Sequence, residues 1–225
     1  MNTLLKDISL EYIGAPGFYD FHEQYAEPWR QGERIPPGHQ AVGRLVIDPA
    51  LTAQASAEIS QMAYSAEVSN NRLVEKELSF PFLQEFVQAC ETRFKESVQY
   101  DTDRYRPRSV DSTSARITVG PYSYRGSDRW HFDNTEAAAD AVYTLAVLGP
   151  TTVFATDHLC LGDFDEQTFL INPIGLETVQ YPVGTITVHH ANRTAHSVPG
   201  PEHNGQRRIF MNRRLYSALP PNDNA

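Results

Sequence analysis

The sequence has two cysteines, Cys90 and Cys160, far apart and without CxxC spacing, which excludes a disulfide framework and a cysteine-built zinc site. Both read as buried thiols. The N-terminus, Met1-Asn-Thr-Leu-Leu-Lys-Asp-Ile, lacks a basic-then-apolar leader, and the longest apolar run, around Ala141 to Leu148, is too short to span a bilayer. The expected location is the cytoplasm. Lysine is scarce too: three lysines stand against sixteen arginines, and every one of the eleven cations after Lys95 is arginine. Arginine holds carboxylates and phosphates in a fixed two-pronged geometry, where lysine is a mobile point charge. The net charge of −9 argues against a sequence-independent grip on nucleic acid or docking on anionic lipid. No internal repeat or low-complexity tract is visible.

What is present is an ordinary globular composition, 40% hydrophobic and 21% charged over 225 residues, which fits a single domain. Residues 1–113 read as helical support with the first strands. After Asp48-Pro49, a cap followed by proline, Ala55, Ile59, Met62 and Ala66 recur at helical spacing. A second helix begins near Ser79 and Pro81, with Leu83, Phe86, Val87, Cys90 and Phe94 on one face. Ala41 to Ile47 and Arg72 to Leu78 read as short strands, and Ala26 to Gly38 as a loop. From Ser114 to Tyr216 short β runs alternate with turns: Ala115–Val119, Ala141–Leu148, Thr152–Ala155, Thr168–Ile171, Thr185–His189 and Arg208–Leu215. That spacing predicts a mainly β core of the jelly-roll, cupin-like kind with supporting helices.

Within the β half lies Arg129-Trp-His131-Phe-Asp133-Asn134. Residues i and i+2 of a strand share a side, so His131 and Asp133 present an imidazole and a carboxylate to one point while Phe132 packs the other way. These are two members of a 2-His-1-carboxylate facial triad, which leaves positions open on a non-haem Fe(II). Downstream, a turn at Gly184 feeds a strand, His196-Ser-Val-Pro follows, and Gly205-Gln-Arg207-Arg208-Ile opens a last strand. His196 supplies a third ligand. An arginine eleven or twelve residues later can bind an anionic cosubstrate beside the metal.

In this order of motifs the sequence resembles the Fe(II)/2-oxoglutarate-dependent dioxygenases, whose core is a double-stranded β-helix. Trp130 before the HxD, Gly149-Pro-Thr-Thr152-Val-Phe and Gln206-Arg207-Arg208-Ile209 look like the taurine-dioxygenase branch. The resemblance implies an enzyme with Fe(II), 2-oxoglutarate and O2. Arg208 would pair with the far carboxylate, Thr152 would help hold the cosubstrate, and the metal ligands His131, Asp133 and His196 would be the catalytic machinery. A tyrosine at Tyr122 or Tyr124 hydrogen-bonds cosubstrate or substrate in related enzymes; an aromatic core residue is the plainer reading. The implied reaction is hydroxylation, or a related C–H oxidation, of a small, polar, carboxylated or amino-acid-like molecule with release of succinate and CO2.

Rival assignments stay open. His189 and His190 compete with His196, and read as one buried and one exposed strand residue. Arg207 and Arg208 point to opposite sheet faces, so one of them faces the iron; Arg208 is preferred, while Arg207 follows Gly-x at the eleven-residue spacing. Arg116, Arg125 and Arg129 are either substrate-carboxylate partners or a solvated edge. Asp157 to Pro182 reads as a long loop that can cover substrate. Arg208, Arg214 and Tyr122 are also similar to the nucleic-acid dealkylase branch of the superfamily, and a non-catalytic cupin-like binder of small ligands is the reading from another class. Substrate identity and oligomeric state have no signature in the chain.

Overall fold

The computed structural model describes residues 2–62, 78–105, 109–110, 116–122, 130–133, 139–165, 170–171, 175–197, 200–203 and 205–217. Two of the three α-helices among the described residues form where local chemistry favours them. α2 (Pro49–Gln61) starts as its cap dictates, with Asp48 accepting from the Ala50 backbone N–H at 2.8 Å and proline in the first turn. α3 (Pro81–Tyr105) buries Leu83, Phe86, Val87, Cys90, Phe94 and Val98 at three- and four-residue spacing. Burial pushes the Cys90 thiol well above its ordinary range, so it is an inert core residue.

α1 (Phe18–Arg30) corrects the expectation of a loop from Ala26. The helix runs through Pro28, which stands in its last turn. A proline there removes one intrahelical bond, and burial of Phe18, Tyr19 and Trp29 on the helix offsets the loss. Most of the expected strand Arg72 to Leu78 lies outside the described residues; Leu78 itself is not in a strand.

The strands are β1 (Ile8–Tyr12), β2 (His39–Ile47), β3 (Ser109–Val110), β4 (Arg116–Pro121), β5 (Ala139–Leu148), β6 (Val153–Ala155), β7 (Phe164–Asp165), β8 (Leu170–Ile171), β9 (Thr178–Gln180), β10 (Thr185–His190), β11 (His196–Ser197) and β12 (Arg207–Ser217). The larger sheet runs β1-β2-β10-β5-β12-β3, with β4 also on β12, and the smaller runs β11-β6-β9. An antiparallel bridge from His131 to His196 extends the smaller sheet by one position. From β4 onward the chain visits the larger sheet, the smaller at His131, the larger at β5, the smaller at β6 and β9, the larger at β10, the smaller at β11 and the larger at β12. That winding is a double-stranded β-helix. β7 and β8 pair antiparallel between β6 and β9, so the connection from Asp157 to Pro182 carries a strand at Leu170–Ile171, within the run expected at Thr168–Ile171, and an unexpected partner strand. The start of this connection is tied down by Arg34, which donates to the His158 carbonyl at 2.9 Å and pairs with Asp163 at 2.8 Å.

The main core lies between the helices and the outer face of the larger sheet, where Ile186, Val188, Leu145, Ile209 and Met211 meet Leu83, Phe86 and Phe94. The opposite face of the same strands is therefore turned to the smaller sheet. Gly149 allows the β5–β6 turn to close over β12. Its φ is +79°, and a Cβ there would lie 2.4 Å from the Arg207 carbonyl oxygen.

One buried polar cluster joins three elements of this core. The Asp101 carboxylate of α3 accepts from the Ala15 backbone N–H at 2.9 Å, Tyr19 Oη at 3.0 Å and Tyr143 Oη at 2.7 Å. Burial raises the Asp101 pKa against the lowering effect of these three donors. Asp101→Ala removes the acceptor of the Ala15 N–H and of the two tyrosine hydroxyls, which keep only their bond to each other, and is expected to cost about 3 kcal/mol in urea unfolding. Because the folded-state pKa is raised, the Asp101 contribution falls as pH rises from the unfolded carboxylate value through the folded one. The stability difference between wild type and Asp101→Asn should shrink across that window; a constant difference would refute the assignment.

Candidate metal centre

The site is assembled at the junction of the two sheets. His131 and His196 exchange backbone hydrogen bonds, each 3.0 Å, which sets them directly opposite with ring centroids 4.4 Å apart. Phe132, between the two HxD residues, packs outward against Trp29 at 5.5 Å in a second apolar cluster with Trp130, Ile35 and Leu159. Among the described residues His131 pairs only through the single bridge to His196 and Asp133 lies beyond it, outside any strand, yet one ligand atom from each of His131, Asp133 and His196 lies within 4.8 Å of the others.

The protonation states of His196 and Asp133 suit a metal. His196 is buried, and its Nδ1 faces the Thr194 carbonyl oxygen at 3.1 Å, which assigns the proton to Nδ1 and leaves the Nε2 lone pair for coordination. Burial, with help from His189, pushes its pKa down to about 3, so the ring is neutral and has no proton to release on binding. Burial alone would raise the Asp133 pKa. The hydrogen bond from His189 and the cationic Arg214, with His196 and His189 adding positive charge when protonated at low pH, outweigh it and hold the carboxyl below the usual carboxylate range. Asp133 Oδ1 lies 3.9 Å from His196 Nε2 and 3.2 Å from an Arg214 Nη, and Oδ2 lies 3.4 Å from His189 Nε2.

The two rival histidines on β10 are both buried, which corrects the expectation that one is exposed. The strand is covered on both faces. His190 is stacked between Phe18 and Phe21 of α1, with centroid distances of 4.4 and 5.1 Å, while His189 points to Asp133.

The last strand separates the two candidate arginines. Arg207 is exposed and its Nε donates to Ser60 Oγ of α2 at 2.6 Å. Arg208 is turned inward, its guanidinium 4.2 Å from the Phe210 ring centroid and 5.2 Å from that of Tyr122. Desolvation pulls its pKa down to about 10, leaving it cationic at neutral pH. Its Nε is buried with no hydrogen-bond partner, and no carboxylate pairs with it among the described residues. Thr152 is buried and, with Thr144, Thr151, Thr185, Thr187 and Tyr181, lines a small cavity that also touches Phe210. Thr144 and Thr187 share a hydroxyl hydrogen bond of 2.7 Å. Tyr122 is buried beside Arg208. Tyr124, Arg125, Arg129 and the Arg116 side chain lie outside the described residues.

The link of His189 and Arg214 to Asp133 did not emerge from motif order. Strand parity carried part of the signal: Arg208, Phe210, Asn212 and Arg214 share one face of β12.

No family model and no curated protein matches the sequence. Among solved structures the chain is similar to the apo form of the non-heme monooxygenase ThoJ, at 17% identity over 85% of this chain and 76% of that one, TM-score 0.42. It is also similar to SnoN, a non-heme alpha ketoglutarate dependent epimerase from nogalamycin biosynthesis, at 16% identity over 87% and 83%, TM-score 0.43. A third is a prolyl hydroxylase from Trichoplax adhaerens in complex with a hypoxia inducible factor peptide fragment, at 10% identity over 89% and 90%, TM-score 0.47. Among the described residues, no helix is long and apolar enough to cross a membrane.

Proposed function

We propose that this protein is a non-haem Fe(II)/2-oxoglutarate-dependent oxygenase acting on a C–H bond of a small, polar, carboxylated or amino-acid-like molecule. The carrying observation is the pairing of two features on the inner face of one β-helix. A donor set of two imidazoles and one carboxylate stands at one place, and Arg208, half-buried with its Nε sealed from solvent and no carboxylate partner among the described residues, stands farther along β12. A buried cation without an anion is costly, and a dicarboxylic cosubstrate supplies the missing charge.

His131, Asp133 and His196 would hold the iron, leaving positions for cosubstrate and O2. Arg208 would receive the distal carboxylate, and the hydroxyls around Thr152 would add polar contacts. When bound, iron and 2-oxoglutarate supply the oxidising chemistry: substrate R–H, 2-oxoglutarate and O2 become R–OH, succinate and CO2. The chain's own part is to orient both reactants and to exclude water.

The test is anaerobic addition of Fe(II) and 2-oxoglutarate to apo protein. A visible metal-to-ligand charge-transfer band is expected, and it should vanish in His131→Ala. A protein that takes up no iron and shows no band overturns the reading in favour of a non-catalytic ligand-binding β-helix. A second reading, nucleic-acid dealkylation, is favoured by one observation: Arg208 and Arg214 share a face of β12 and Arg214 reaches Asp133. The net charge of −9 counts against it. Succinate release with methylated oligonucleotides, and none with amino or sulfonic acids, would select it.

A further inference from the structure

Resting on the reading of His131, Asp133 and His196 as a metal-ligand set, we propose that His189 is a positioning residue that holds the outer oxygen of Asp133. The carboxylate then meets the metal through one oxygen only. A carboxylate has two equivalent oxygens and, unless one is occupied, can chelate a metal through both and use up a coordination position that cosubstrate or O2 needs. The two oxygens of Asp133 differ in their surroundings. Oδ1 is turned to His196 Nε2 at 3.9 Å and carries the Arg214 contact at 3.2 Å; Oδ2 faces His189 Nε2 at 3.4 Å.

The tautomer of His189 follows from its surroundings. Its Nδ1 is buried with no hydrogen-bond partner. A proton on Nδ1 would be an orphaned buried donor and would set the bare Nε2 lone pair against a carboxylate oxygen. With the proton on Nε2, the donor faces Oδ2 and the unpartnered atom is a bare acceptor, the less costly arrangement. The ring has little freedom to leave. It is 1% exposed, with the His196 ring 4.7 Å and the Phe154 ring 5.3 Å away by centroid, on a central strand paired to both β2 and β5. His189 thus differs from the three ligands: it reaches the site through Asp133.

The experiment is anaerobic calorimetric titration of the apo protein with Co(II), without cosubstrate, together with the metal-loaded minus apo infrared spectrum of the carboxylate stretches. The wild type should show the stretch separation of a monodentate carboxylate. His189→Leu should bind Co(II) about tenfold to a hundredfold more weakly and shift to the bidentate pattern. His189→Gln, whose amide N–H reaches toward Oδ2, should stay within about threefold of wild type and keep the monodentate pattern. His196→Ala is the reference for a lost ligand. A Leu variant indistinguishable from wild type overturns the proposal. So does loss of Co(II) in both His189 variants as complete as in His196→Ala, which would make His189 a ligand. A bidentate pattern in the wild type overturns it even where the Leu variant fails to fold. Wild-type protein that takes up no Co(II) at all removes the ligand-set reading itself.

Discussion

Replacing His196 by alanine is expected to abolish tight Fe(II) binding and to lower succinate release about a thousandfold or more, since metal polarisation is worth several kcal/mol. The prediction follows from where the ring sits. His196 is locked by its Nδ1 contact with the Thr194 carbonyl and by the backbone pair with His131, so its Nε2 is aimed before any metal arrives. Such preorganisation spares the ordering cost that a mobile ligand would carry. The apo fold should survive, because the backbone bridge to His131 does not depend on the side chain. Thermal unfolding of apo wild type and variant checks this, and Fe(II) titration with succinate assay checks the rest. Retained metal uptake with full turnover in His196→Ala would mean that His189 completes the site instead.

The second large effect concerns cosubstrate and leaves the metal alone. Arg208→Leu should weaken 2-oxoglutarate binding about a hundredfold, the usual loss when one partner of a buried charge pair is removed, with Fe(II) affinity unchanged. Arg208→Lys should fall between, because a lysine keeps the charge and loses the fork. The apo protein responds in the opposite direction. Arg208 lies half-buried against Phe210 and Tyr122, its Nε sealed from solvent and no carboxylate beside it among the described residues, so Leu at this position should stabilise the cosubstrate-free protein by about 1 kcal/mol. Cosubstrate affinity should also decline as pH rises through about 10, where the guanidinium loses its proton. Unchanged 2-oxoglutarate affinity in Arg208→Leu would move the carboxylate partner elsewhere. Arg207 is a weak substitute, since its side chain is exposed and bonded to Ser60 on the far face.

The sequence determined much of this without help. The i, i+2 spacing of His131 and Asp133 marks them as a pair, and strand parity separates Arg207 from Arg208 on β12, because a pleated strand alternates whatever it packs against. Asp48-Pro49 marks α2 and the apolar stripe marks α3, since caps and helical periodicity are local. Tertiary structure decided the rest. α1 persists through Pro28 because partners distant in sequence cover Phe18, Tyr19 and Trp29. His189 and His190 are both buried because β10 lies between α1 on one face and the smaller sheet on the other. The grip of His189 and Arg214 on Asp133 joins residues 56 and 81 positions apart. No local pattern encodes such a contact; it exists only once β10 and β12 flank β5 and the bridge at His131 brings Asp133 over them.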